Sequence, residues 1–205
     1  MTRLSFLLAL SFSCAAPSRL EPLISSYVDP ALDAGFRTVQ EDGTGETVWW
    51  AKDNIPLILM FDQTARPWAA TFRVAAEAWN TVLGFNAFIP MPCCTERLSA
   101  VLKSGQTKSV IAILSAPVPI NQATTYFQAV ETGEIGSAAL LMPGGRFTGG
   151  TAFLMASHEL GHLLGLAHDP ELPTSIMFPQ LDFDGFNLPR FPTVGDIARI
   201  QARYR

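Results

Sequence analysis

A chain of 205 residues suffices for one domain of ordinary size plus a short extension, and is long enough to bury a core. Apolar residues make up 48% and charged residues only 16%, which excludes an intrinsically disordered body. The net charge of −4, without any Lys/Arg cluster, gives no electrostatic case for nucleic acid as a partner.

In chain order, residues 1–14 are expected to be a signal peptide of secretory or lipoprotein type. "MTR" is a short positive region, "LSFLLALSF" (Leu4–Phe12) an apolar stretch, and "SCAAP" supplies the small residues of a cleavage site. As a helix, nine residues span only about 13 Å, too short for a hydrocarbon core of roughly 30 Å, so no transmembrane helix is expected. Cys14 leaves two export routes open. It resembles the lipid-attachment cysteine of bacterial lipoproteins, although Ser11 stands where that pattern usually has Leu. Cleavage near Ala15 or Ala16 would release a soluble protein instead. Diacylation at Cys14 would anchor the chain firmly, because two acyl chains hold where one is marginal.

Residues 15–46 are mixed and turn-rich and read as a tether or irregular lead-in. The compact domain is expected over 47–205. It opens with "TVWWAKDNIPLILMF", strand-like in its β-branched and aromatic content and interrupted at Pro56. In "RPWAATFRVAAEAWNTVL", Phe72, Ala75, Ala76, Trp79 and Leu83 recur at helical spacing, with Pro67 in the first turn and Gly84 beyond the end. Cys93 and Cys94 adjoin. A vicinal disulfide would be strained, because neighbouring Cα atoms lie about 3.8 Å apart against a usual range of roughly 4.4–6.8 Å. Two thiols, or a bond to another chain, are the other readings. "SVIAIL" (109–114) suits a strand covered on both faces, and "IGSAALLMPGG" a second strand ending in a turn. "GTAFLMASHELGHLLG" reads as a long helix. The closing helix, "TVGDIARIQARYR", has Thr193 as N-cap and Ile197, Ile200 and Tyr204 on one face. Strands interleaved with long helices place the fold in the α+β or α/β class.

All three histidines of the chain lie in "HELGHLLGLAH". His158 and His162, four apart, share one helix face and suit a tetrahedral zinc ion. Glu159 lies about 100° further round the helix, beside the ion rather than on it, where a general base for zinc-bound water belongs. Helix geometry alone cannot bring His168 to the same point. Gly165 can take the left-handed conformation that ends a helix, letting the chain swing His168 back as third ligand. Three protein ligands leave a fourth position for water, the pattern of a catalytic site.

With these residues the chain resembles the metzincin metalloproteases, and among them the matrixins. "SIMFP" is similar to their Met-turn, with Met177 in the place of the methionine that floors the zinc site. "ATFRVAAEAWNTVLGF", "SAALLMPG" and "GDIARIQARY" resemble, in order, the first helix, the edge strand and the closing helix, so the likeness runs from about Thr47 to the end. The resemblance implies a twisted, mostly parallel sheet with an antiparallel edge strand, packed on long helices. It implies an active-site helix followed by the Met-turn and a C-terminal helix. It also implies that an extended peptide or protein substrate pairs with the edge strand, assigned here to Ser137, Ala138, Ala139, Leu140 and Leu141. "FPQLDFDGF" would shape the pocket for the residue after the cut bond.

Departures from the family pattern carry their own expectations. No propeptide cysteine motif is found, and no histidines remain for a second, structural zinc. Asp169 follows the third ligand where matrixins tend to have Ser, as in the adamalysin branch. The paired aspartates of the closing helix reduce to Asp196 beside Gly195, so a buried N-terminal ammonium bridge is not expected. No Tyr closely follows Met177, so neither is a fifth ligand. "DFDG" (182–185) has oxygen ligands at alternate positions, as calcium loops do, but lacks the rest of that motif and reads better as a solvated turn. The resulting expectation is an exported, monomeric zinc endopeptidase, secreted or lipid-anchored at the cell surface or periplasm. The competing reading is a catalytically silent, zinc-containing binding module on the same scaffold.

Overall fold

The apolar run Leu57–Phe61 forms the first strand, β1, directly after Pro56 and the 3₁₀ turn Lys52–Asn54. The chain is described here by a computed structural model covering residues 48–93, 109–116, 123–129, 133–144, 149–169, 171–178 and 192–205. The leader, Cys14, the lead-in, Cys94 and the Asp182–Gly185 loop lie outside the described residues. Cys93 is disulfide-bonded, which excludes a free thiol there; its partner is not among the described residues.

After β1, Asp62 caps a 3₁₀ segment, Gln63–Trp68, by accepting from the Thr64 backbone N–H. Pro67 lies in that segment, not in the α-helix that follows. Helix α1 (Ala69–Leu83) buries Phe72, Ala75, Ala76, Trp79 and Leu83, the apolar stripe of the sequence, and ends on left-handed Gly84 at φ 73°. Strands β2 (Phe88–Pro90), β3 (Val110–Ala116), β4 (Thr124–Ala129) and β5 (Ile135–Pro143) complete a five-stranded sheet in the order β2-β1-β3-β5-β4. Among the described residues, four strands run parallel and β4 alone is antiparallel, at the edge. In β3, Ile111, Ala112 and Ile113 are buried consecutively, as expected of a strand covered on both faces.

One assignment is corrected. Ser137, Ala138, Ala139, Leu140 and Leu141 do not form the edge. They lie in β5, which pairs with β3 on one side and β4 on the other. The reason is visible in burial: Leu140 through Met142 are buried in succession, so both faces are covered and no backbone edge is left open. The antiparallel edge is β4, whose "TTYFQA" carries the β-branched and aromatic residues of a strand.

Helix α2 (Gly149–Leu163) is buried on nearly every face, from Ala152 through Leu163, with only Phe153 partly exposed after the first turn. It packs on α1, where the Trp79 indole donates to the Ser157 carbonyl at 3.0 Å. Helix α3 (Val194–Tyr204) starts on Thr193 in a reciprocal capping box with Asp196. It buries Ile200 and lays Ile197 and Tyr204 against the core. No helix among the described residues is long and apolar enough to cross a membrane.

Candidate metal centre

The three histidines meet because α2 ends where it does. Gly165, at φ 84°, closes the helix in a Schellman turn: the Leu166 N–H donates to the Gly161 carbonyl at 3.1 Å and the Gly165 N–H to that of His162 at 2.8 Å. Carbonyls the turn cannot reach are filled by side chains from far away in sequence. The Trp50 indole donates to Leu163 O at 2.7 Å, and the Tyr204 hydroxyl to Leu164 O at 3.2 Å. The reversed chain then brings His168 alongside the pair on α2.

Backbone carbonyls orient two of the rings. His158 Nδ1 lies 2.6 Å from Ile176 O, and His162 Nδ1 lies 2.8 Å from Leu166 O. A carbonyl only accepts, so each Nδ1 carries the proton and each Nε2 presents a lone pair. His158 Nε2 stands 2.9 Å from His162 Nε2 and 3.3 Å from His168 Nε2. The bare lone pairs of His158 and His162 repel at 2.9 Å unless a cation lies between them. Zinc–imidazole bonds of about 2.0–2.1 Å in a tetrahedron would hold nitrogens roughly 3.3 Å apart. The donor set fits that ion, and the three residues lie close enough to hold one metal.

Beneath them, Met177 is fully buried in the turn after His168 and seats against Gly161, where a Cβ would collide with its sulfur. The sequence reading missed Gly161: it sits between two histidines and had no pattern of its own. Asp169 N–H donates to Met177 O at 2.9 Å, tying the turn to the third histidine. Asp196, also fully buried, accepts from Ser175 Oγ (3.2 Å), from Thr193 N–H and Oγ1 (2.9 Å each), and from Arg199 Nη2 (2.8 Å). Ser175 Oγ in turn accepts from Met177 N–H at 3.0 Å, so α3 supports the turn through one carboxylate. Arg199 also bridges to Asp169 at 3.2 Å. Asp196→Asn puts an amide donor among these donors. It is expected to lower stability by about 2 kcal/mol, read as a lower urea midpoint at unchanged slope.

Glu159 is buried beside His158 and accepts a hydrogen bond from Thr125 Oγ1 of β4 at 2.6 Å. Burial pushes its carboxyl up to about 8, against the lowering effect of the Thr125 hydroxyl. Burial also depresses the rings: His158 falls to about 4, His168 to about 3 with help from its neighbour His158, and His162 lies well below its ordinary value. Neutral rings are what a metal requires, and a bound cation would favour the ionised carboxylate.

These shifts set the pH response of the metal-free chain. A depressed histidine gives stability that is present above about 6.5 and lost as pH falls through its folded value, because the unfolded chain takes up protons first. The raised Glu159 acts oppositely, giving stability present below about 4.5 and lost as pH rises through about 8. Three rings outweigh one carboxyl below pH 6.5. Thermal melts in chelator are therefore expected to peak near pH 6.5 and fall on both sides, more steeply in acid; a melting temperature that is flat from pH 4 to 8 would contradict this.

The matrixin family model matches residues 102–205, which span β3 through α3 and include all three histidines, Glu159 and Met177. This chain belongs to the matrixin family. The matrixins are metalloproteases, and the sheet packed on helices in this chain agrees with their fold. The match begins after β2, so the likeness noted for the stretch from Thr47 to 101 lies outside it. Of the sequence-derived site residues in this matrixin, the structure brings together His158, Glu159, His162, His168, Gly165, Met177 and Asp196; Ser137–Leu141 belong to the sheet interior.

Proposed function

We propose that this matrixin is an exported zinc-dependent endopeptidase in which His158, His162 and His168 hold one zinc ion and Glu159 is the general base. The observation that carries the reading is the convergence of three Nε2 atoms, those of His158 and His162 held free of protons by the carbonyls on their Nδ1 atoms, with the buried carboxylate of Glu159 next to His158 on α2. His158, His162 and His168 would hold the zinc ion, which would supply Lewis acidity toward the scissile carbonyl and toward the attacking water. Glu159 takes the proton of the attacking water at its carboxylate and delivers it to the leaving nitrogen. An extended peptide would add to the outer edge of β4 through main-chain hydrogen bonds, antiparallel edge strands being open to such pairing.

Export rests on the Leu4–Phe12 leader and its small-residue cleavage site. Mass spectrometry of the mature protein would begin at a diacylated Cys14 for the anchored form, or near Ala15 or Ala16 for the secreted one.

The activity is tested with a peptide library and the zinc-loaded chain. Cleavage is expected, abolished by chelator and restored by zinc. A folded, zinc-loaded chain that cuts nothing would instead favour the binding-module reading.

A further inference from the structure

The only hydrogen bond to the Glu159 carboxylate among the described residues comes from Thr125. Both side chains are buried, Thr125 completely, and 34 residues separate them in sequence. The 2.6 Å separation is in the range of hydroxyl-to-carboxylate bonds strengthened by charge. Thr125 stands in β4, in register with Leu140 of β5, on the strand that ends the sheet among the described residues. A carboxylate on a helix has free torsions, and an anchor on one oxygen removes that freedom while leaving the other oxygen for chemistry.

We propose that Thr125 is the positioning residue of Glu159: its hydroxyl holds Oε2, so that Oε1 is the oxygen that receives and returns the proton. The inference rests on the reading of Glu159 as base. It also ties the setting of the base to the edge strand, so the element that would receive a peptide backbone is the one that aims the carboxylate.

The test compares Thr125→Ser with Thr125→Ala in the zinc-loaded full chain, with Glu159→Ala as reference, on one peptide found in the library. Serine keeps the hydroxyl and alanine removes it, while both lack the methyl, so packing loss cancels between them. kcat for Thr125→Ala is expected to fall about tenfold or more below Thr125→Ser, with KM and bound zinc unchanged within about twofold. Thr125→Val, which keeps the side-chain shape, is expected to follow alanine. Equal kcat for Ser and Ala variants, beside an inactive Glu159→Ala, would overturn the assignment and leave the base intact. Full activity in Glu159→Ala would remove the base itself, and the role of Thr125 with it. Equal loss of zinc from the Ser and Ala variants would also overturn it, showing a structural role for the position.

Discussion

Glu159→Gln is expected to lower kcat/KM by about 10²–10⁴-fold while one zinc per chain is retained. The substitution is nearly isosteric, which matters for a side chain only 2% exposed. The amide oxygen still accepts from Thr125, so the local packing has no reason to change. What disappears is the capacity to take a proton from water. Zinc stoichiometry and thermal stability should therefore stay close to wild type while turnover falls. Replacing His162 by Ala gives the contrasting pattern, loss of both metal and turnover, because its Nε2 is one of the three converging donors. Wild-type turnover in Glu159→Gln would assign proton transfer elsewhere.

Gly165→Ala is expected to cost about 3 kcal/mol of stability or more. Two penalties add. An L-residue at φ 84° loses roughly 1–2 kcal/mol in the left-handed region. A Cβ there also overlaps the Val48 carbonyl oxygen, which is backbone and itself accepts from Arg203 Nη1 at 2.9 Å, so it cannot step aside cheaply. Forced overpacking of this kind typically adds 1–3 kcal/mol, roughly. Zinc affinity should fall as well, because the turn delivers both the Leu166 carbonyl that orients His162 and the third ring. Gly150→Ala is the control: it lies in the first turn of α2 with open space around it, and is expected to be neutral or slightly stabilising. Urea denaturation of the three proteins checks the contrast. A loss no greater in Gly165→Ala than in Gly150→Ala would show that the turn tolerates a side chain.

What the sequence disclosed and what it withheld divide along a physical line. The motif carrying His158, His162, Gly165 and His168 was legible because one helix and one turn bring those residues together, and both are local. The same holds for the apolar stripe of α1 and for the cap of α3, whose Thr193 and Asp196 are three apart. The sheet order was not legible. Ser137–Leu141 reads as an edge or as an interior strand equally well, until β4 is known to pair outside it. Thr125 escaped notice for a related reason: nothing in the spacing of a threonine and a glutamate 34 residues apart says that they touch. Gly161 was hidden by chemistry of another kind, since the need for a missing side chain shows only once Met177 is seated against it.

The join between the two ends of the domain has a consequence for how the protein matures. Tyr204, at the end of α3, fills a carbonyl beside the turn that presents His168, and its oxygen also receives the Trp50 N–H at 3.2 Å. During vectorial synthesis the three histidines are made 46 to 36 residues before Tyr204. A growing chain thus carries all three rings before α3 can brace the turn that presents the third of them.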